Sequence, residues 1–434
     1  MRPSLNTSRK KAGRNNGGMK MKRQNPFAGT SIILFFLIFL GSFLPASPCT
    51  VAAVSGKATP DGRALLWKNR DTSSVANKMV YVKGEKFGFI ALIDADDNSV
   101  ENAWAGINTS GFAIMNAASG DLAEGPEGMN DNGRFMKEAL EKCSSVSDFE
   151  KLLLDTNGKR RVGANFGVID AEGNACIFET GRSSFVKFDA ADPRVAPQGY
   201  IVHTNFAYTS PVKDGGGGYI RYERATRLFQ AAYDEGRLDL RFILQEVARD
   251  LVNEKLHSCP LSNPRAFDSS SPLYINTSDT INRNSTVSVA LFHGAPTPEK
   301  AYLATMWILL GQPICSAAIP LWAPAESVPE VCSGPATSAL NDFSRALVSF
   351  LYPDHRGHMY QYLNVSRLLD YRGEGMLKIL FKIENYVFLE AAEKLETWER
   401  QRPSPQELRD FQEKIATWAY DSLRKAFPEI KAPD

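Results

Sequence analysis

Three short stretches of the chain carry residue types that can do chemistry together: Cys49-Thr-Val-Ala-Ala-Val54, Asp61-Gly62, and Lys68-Asn-Arg-Asp71. A cysteine works as a nucleophile through its thiolate, so it needs a base close by. If the chain is cut before Cys49, that base sits on the same residue. The α-amine released by such a cut has an ordinary pKa of roughly 7.7–8 and can take the thiol proton directly or through water. A hairpin bringing Ala64–Asp71 back beside Thr50–Gly56 puts Lys68 and Asp71 within reach of Cys49. Asp71 would hold and polarise the amine, as the acid partner of a triad orients its base. Lys68, a nearby cation, would favour the thiolate. Outside that chemistry, Asp71 reads as a carboxylate at a strand-end turn.

The residues before Cys49 bear on whether such a cut occurs. Residues 1–48 hold eight of the 50 Lys/Arg and none of the 49 Asp/Glu. An apolar run, Ile32–Leu44, follows the basic stretch and gives way to Pro45-Ala-Ser-Pro48. The run is shorter than the roughly 20 residues that span a bilayer. Basic charge before it and small residues after it read as an export signal, with Met19 or Met21 as alternative starts. The expectation is a leader over 1–48, removed by signal peptidase or by self-cleavage, and an exported, periplasmic or surface-attached product. Two other readings stay open. One is an uncleaved anchor; the other is a lipid on Cys49, whose preceding Ala46-Ser47-Pro48 meets a lipoprotein signal only in part.

Beyond the leader the chain is net acidic, which excludes a broad electrostatic pull on nucleic acid. With 43% hydrophobic residues over 434 positions it is neither wholly disordered nor collagen-like. Six cysteines (Cys49, Cys143, Cys176, Cys259, Cys315, Cys332) are too few for a disulfide scaffold. There is no Cys-x-x-Cys and the five histidines are scattered, so neither a metal nor a cofactor is expected.

The elements that must position these residues are mainly β. Thr59-Pro-Asp-Gly62 is a turn signal between the first two strand-like runs. Strand composition continues over 78–94, then in pairs over 102–108 with 112–117 and 165–170 with 175–179. Further strand-like runs cover 184–188, 199–205 and, late in the chain, 286–293. Helical periodicity marks 134–154, 221–232 and 238–252. Hairpins separated by helices argue for an α+β chain in which two antiparallel sheets stack between helix layers, an αββα sandwich. From about Ala339 the character turns helical, over 341–352, 359–399 and 405–427. The domain reading is therefore 1–48 leader, 49–338 main domain and 339–434 helical extension. That extension would either be a further layer or join copies of the chain.

Other motifs have plainer readings. Asp94-Ala-Asp-Asp-Asn98 lacks the glycine and glutamate of a calcium loop and reads as a solvated turn. Lys213-Asp-Gly-Gly-Gly-Gly-Tyr219 lacks the residues that complete a phosphate loop. His203 lies in a strand-like run and reads as a satisfied core or edge residue.

The stretch from Cys49 resembles the start of the cysteine-type N-terminal nucleophile (Ntn) hydrolases, and most closely the penicillin-biosynthetic acyl-coenzyme A:6-aminopenicillanic acid acyltransferase family. The resemblance also rests on Gly106-Ile-Asn-Thr-Ser-Gly-Phe-Ala-Ile-Met-Asn116, Asn165-Phe-Gly-Val-Ile-Asp170, Val202-His-Thr-Asn205 and Arg221-Tyr-Glu-Arg-Ala-Thr-Arg-Leu228. It covers about Cys49 to Gly311 and implies the four-layer Ntn fold. By this likeness Cys49 is the nucleophile and, through its amine, the base, with Asp71 contacting that amine. Asn205 would donate its amide to the oxyanion, Asn116 would form a second polar wall, and Arg221 would steady the site or form an ion pair. Lys68 stands where bile salt hydrolases have arginine, whose forked guanidinium a point charge does not replace. The activity implied is cleavage of a small-molecule linear amide through an acyl-enzyme, with acyl transfer open to the same site. No nucleic acid partner is expected, membrane contact only through the leader, and self-association only through the C-terminal helices. Two alternatives remain: a dipeptidase of the same superfamily, and a lipid-anchored binding protein.

Overall fold

The computed structural model describes residues 48–122, 131–210, 217–253, 255–256, 272–352, 361–370 and 374–431. The expected leader, apart from Pro48, lies outside the described residues, as do Cys259 and most of the Gly-rich stretch at 213–219. Among the described residues no helix is long and apolar enough to cross a membrane.

Strands β1 (Cys49–Val54) and β2 (Leu65–Asp71) form the expected hairpin, in register Cys49 with Arg70 and Val51 with Lys68. Its turn depends on Gly62, whose φ of 74° is left-handed. Next along the chain come β3 (Asn77–Val82), β4 (Phe89–Asp94), β5 (Ala105–Asn108) and β6 (Ala113–Ala118). Helices α1 (Asn132–Lys142) and α2 (Val146–Asp155) follow. Then come β7 (Ala164–Ile169), β8 (Ala175–Thr180), β9 (Phe185–Asp189), β10 (Tyr200–His203) and α3 (Tyr219–Asp234). A single turn, α4 (Leu240–Phe242), runs into a π turn at Ile243–Val247. The chain then forms β11 (Tyr274–Asn276), β12 (Thr286–His293), β13 (Thr305–Leu310), β14 (Ile319–Leu321), α5 (Ala339–Leu351) and β15 (Tyr362–Asn364). It ends with α6 (Val365–Asp370), α7 (Met376–Arg400) and α8 (Pro405–Ala426).

Among the described residues, one large sheet has the order β10-β1-β2-β12-β13-β14, the second runs β3 to β9 in sequence order, and β11 and β15 make a small two-stranded sheet, antiparallel throughout. The sheets stack closely, β1 and β2 against β6 and β7. A Cβ built on Gly167 of β7 would come within 2.2 Å of Met115 Cε and 2.8 Å of Leu66 Cδ1, so a side chain there would have to push the ends of both aside. On the outer face of the β3–β9 sheet, α1 and α2 bury Phe135 and Phe149 against Phe166 and Phe178. The outer face of the other sheet carries α3, with Phe229 on Trp67, and α7 and α8, with Phe388 on Trp307 and Phe411 on Trp322. This is the expected αββα arrangement, and the late helices form part of its outer layer.

Three helical expectations need correcting. The run 134–154 is two helices, because Ser145 caps α2 by accepting from the Asp148 N–H at 3.1 Å. The run 238–252 yields only α4 and the π turn. The run 359–399 holds β15 and α6 before α7 begins. Strand β13, Thr-Met-Trp-Ile-Leu-Leu, is buried along its whole length. It therefore lacks the alternation that marks a half-exposed strand.

Candidate active site

Cys49 opens β1 and is buried between β10 and β2. Directly opposed residues of antiparallel strands share a face, and neighbours along a strand alternate. Val51 pairs with Lys68 on one side and His203 on the other, so the same register carries Cys49 to Arg70 and toward Asn205. Lys68, Arg70 and the Cys49 side chain thus face the other sheet, while Trp67, Asn69 and Asp71 face the helices.

The contacts follow this division. On the inter-sheet face, Lys68 Nζ donates to Asn116 Oδ1 at 2.8 Å and to Trp104 O at 2.9 Å. Arg70 donates to Asn77 and pairs with Asp94 at 2.7 Å, while Trp104 Nε1 donates to Asp94 at 2.8 Å. The structure thus brings Lys68 and Asn116 together beside Cys49. Burial pulls the Lys68 ammonium down to about 8, and the Cys49 sulfur is the largest influence opposing it.

Asn205 spans the gap. Its Oδ1 accepts from the Cys49 main-chain N–H at 2.8 Å and from Arg221 Nη2 at 2.9 Å, and its Nδ2 donates to Ala118 O at 2.8 Å. The sequence expectation gave this amide the oxyanion alone; the structure also makes it the acceptor for the Cys49 nitrogen.

On the helical face, Arg221 is buried in the first turn of α3. Its Nη1 donates to Cys49 O and Thr50 Oγ1, each at 2.7 Å. The helix starts at Gly218, whose φ of 83° turns the chain inward and whose missing Cβ leaves room for the guanidinium. Burial pulls the Arg221 guanidinium down to about 10, against the opposing charge of Asp71.

Asp71 departs from expectation. Its Oδ1 accepts from Thr286 Oγ1 at 2.7 Å, and its Oδ2 lies 3.9 Å from Arg221 and 3.8 Å from Arg283, with no hydrogen bond to the Cys49 nitrogen. Burial pushes its carboxyl up, against both guanidiniums. Asp71 thus reaches Cys49 through Arg221. Sequence reasoning missed Arg283 and Thr286, because β12 had not been paired with β2. Arg70 stood within the motif already singled out, and the register marks it.

His203 lies with its Nε2 3.0 Å from Glu179, wholly buried, in keeping with a core residue. The Asp94 carboxylate of the Asp94–Asn98 motif is taken up by Arg70 and Trp104. Among the described residues no three His, Cys, Asp or Glu side chains converge as a metal site would require.

The model of the acyl-coenzyme A:6-aminopenicillanic acid acyl-transferase family matches residues 58–232, which bears out the resemblance read from the motifs. The matched stretch contains Lys68, Asp71, Asn116, Asn205 and Arg221 and begins after Cys49. Several solved structures are similar at low identity. One is an N-acylethanolamine-hydrolyzing acid amidase ortholog of Caenorhabditis elegans, with 15% identity and TM-score 0.38 over 58% of this chain and 95% of that one. Another is a variant of the conjugated bile acid hydrolase of Clostridium perfringens, with 14% and 0.38 over 60% and 89%. A third is the penicillin V acylase of Agrobacterium tumefaciens, with 11% and 0.35 over 63% and 86%. No curated protein matches the chain.

Proposed function

We propose that the chain is exported, loses residues 1–48, and acts as a cysteine N-terminal nucleophile amidohydrolase on linear carboxamides. Candidate substrates are N-acyl amino acids, peptide-like amides and acyl amines. One observation carries the reading: the Cys49 nitrogen is held by Asn205 while Arg221 grips both Cys49 O and Asn205. That arrangement fixes the backbone on which sulfur and amine would act together. Lys68, Arg70, Arg221 and Arg283 outnumber Asp71 and Asp94 around it, and a surplus of cations disfavours one more charge on the α-nitrogen. The amine then stays available as a base.

In the proposed cycle the amine takes the thiol proton and the sulfur attacks the amide carbonyl carbon. A main-chain N–H and the Asn205 amide bear the oxyanion, and a donor of this kind is worth about 10²–10³ in rate. The protonated amine passes its proton to the departing nitrogen as the C–N bond breaks. Water resolves the thioester, releasing the acid and restoring the thiol; a second amine in place of water gives acyl transfer.

The test is intact mass and N-terminal sequencing of the exported protein, with turnover of a panel of N-acyl amino acids and dipeptides. A mature chain beginning at unmodified Cys49, with activity abolished in Cys49→Ala and reduced to a trace in Cys49→Ser, is expected. Turnover unchanged in Cys49→Ala, or fatty acyl mass on that residue, would refute the mechanism. A preference for dipeptides over acyl amino acids would move the assignment to the dipeptidases.

A further inference from the structure

Asn205 is the second residue past the end of β10, in a segment without regular structure. Such a segment would be a poor mount for a side chain that must hold the Cys49 nitrogen. The opposite sheet supplies the mount. Asn165 of β7 and Glu179 of β8 are paired directly across the ladder, so they share the face turned toward β10. Both are buried, as is His203.

Asn165 Nδ2 lies 3.0 Å from Thr204 O, 3.0 Å from Phe206 O and 3.1 Å from His203 Nδ1. The carbonyls of the residues on either side of Asn205 therefore converge on one amide group. Glu179 takes the rest of the loop. Its Oε1 accepts from the Tyr208 N–H and lies 3.0 Å from His203 Nε2, and its Oε2 accepts from Thr209 N at 3.1 Å and Thr209 Oγ1 at 2.6 Å. Two carbonyls facing Asn165 require its nitrogen there, which makes His203 Nδ1 the acceptor. The Thr204 N–H at 3.2 Å points to the same ring atom. The ring proton then sits on Nε2, aimed at Glu179. Despite burial, these partners hold the Glu179 carboxyl below its usual range.

We infer that Asn165, Glu179 and His203 are positioning residues that clamp residues 204–209 to the second sheet and so aim Asn205 at Cys49. The catalytic part of this inference rests on the function proposed above; the clamp itself does not. It gives a physical reason for a polar triad buried between the two sheets, where burying polar groups is costly.

Two measurements on the mature protein separate these parts. In hydrogen–deuterium exchange, Asn165→Ala and Glu179→Gln should each speed the amides of 204–209 by about tenfold while β1 and β2 keep their protection. Glu179→Gln is the milder change and carries the test if Asn165→Ala does not fold. Exchange at 204–209 unchanged, or raised equally throughout the chain, overturns the clamp whether or not a substrate is known. With the substrate chosen by the acyl panel, the same variants should lower kcat by about 10–100-fold and change KM by less than about twofold. That loss should disappear when they are placed in an Asn205→Ala background. An equal fractional loss in both backgrounds would show that the triad does not act through Asn205. Failure of the whole panel would count against the proposed function and leave the exchange result to decide the clamp.

Discussion

Lys68 carries a charge that its surroundings make costly, since its ammonium is wholly buried and, among the described residues, has only Trp104 O and Asn116 Oδ1 as hydrogen-bond acceptors. Its folded pKa is about 8 against an ordinary 10.5. Below pH 8 both folded and unfolded chains hold the proton, and the burial penalty is fully present. Between about 8 and 10.5 the unfolded chain binds more protons, so this residue makes the fold more stable as pH rises. Lys68→Met should abolish that rise, which denaturant midpoints at pH 7 and pH 10 would reveal. If the ammonium also supports the Cys49 thiolate, kcat/KM of the parent should fall as pH passes 8, and the Met variant should lack that limb. Asp71 calls for a different experiment because it acts through Arg221 and Arg283. Asp71→Asn leaves the buried Arg221 and the partly exposed Arg283 without their carboxylate, at a cost on the order of 3 kcal/mol. Urea unfolding should show that loss along with the fall in activity. Loss of activity at unchanged stability would restore a direct role at the amine.

Strand alternation explains why the element pattern was easier to read than the site. Lys68 and Asp71 are three apart on one strand, so they cannot share a face, although both stood near Cys49 in the linear reading. Lys68 was legible because the β1–β2 hairpin returns it beside Cys49, whereas Asn205 and Asn116 came from the family likeness, Asn116 lying on the other sheet and meeting Lys68 only across the stacked faces. Thr286 opens β12 and Arg283 lies just before it, more than two hundred residues from Asp71, and only the β2–β12 pairing brings them there. Among the elements, β12 was read with its observed bounds, whereas β13 was missed because a doubly buried strand has no alternating pattern to detect. The start of α3 offers a test at this scale. A Cβ on Gly218 would stand 2.3 Å from Arg221 Nη2 and 2.9 Å from its Cζ, on backbone already left-handed. Gly218→Ala should therefore displace the guanidinium and lower kcat by about 10-fold or more. It should also cost about 1 kcal/mol of backbone strain. Activity unchanged in this variant would show that the Arg221 grip on Cys49 O is dispensable.

At the scale of the molecule, the late helices are tied to the sandwich through a buried charge pair. Arg249, just past the π turn, has Nη2 2.6 Å from Glu384 Oε1 of α7, and its other hydrogens reach Pro313, Ser316 and Leu244 carbonyls. Glu384 also accepts the Ala318 N–H at 2.8 Å, so one carboxylate joins α7 to the π-turn segment and to the chain entering β14. Asn69 of β2 donates to Ala248 O at 2.9 Å, which places that same segment against the strand carrying Lys68 and Asp71. Removing one partner of a buried pair strands a charge, while removing both leaves an apolar contact. Glu384→Leu should therefore cost about 3–5 kcal/mol, and Arg249→Met with Glu384→Leu should recover only part of it, because the Pro313, Ser316 and Leu244 carbonyls then lose the Arg249 donor and the Ala318 N–H its acceptor. Urea midpoints of the three proteins measure both steps. If the single variant unfolds like the parent, α7 is held by its apolar contacts, Phe388 on Trp307 among them. If instead it is destabilised and the double variant recovers stability with full turnover, the pair is a mount for α7 whose chemistry the site does not use. A double variant that recovers stability but not turnover would mean that the charge pair sets the position of β2 through Ala248 and Asn69.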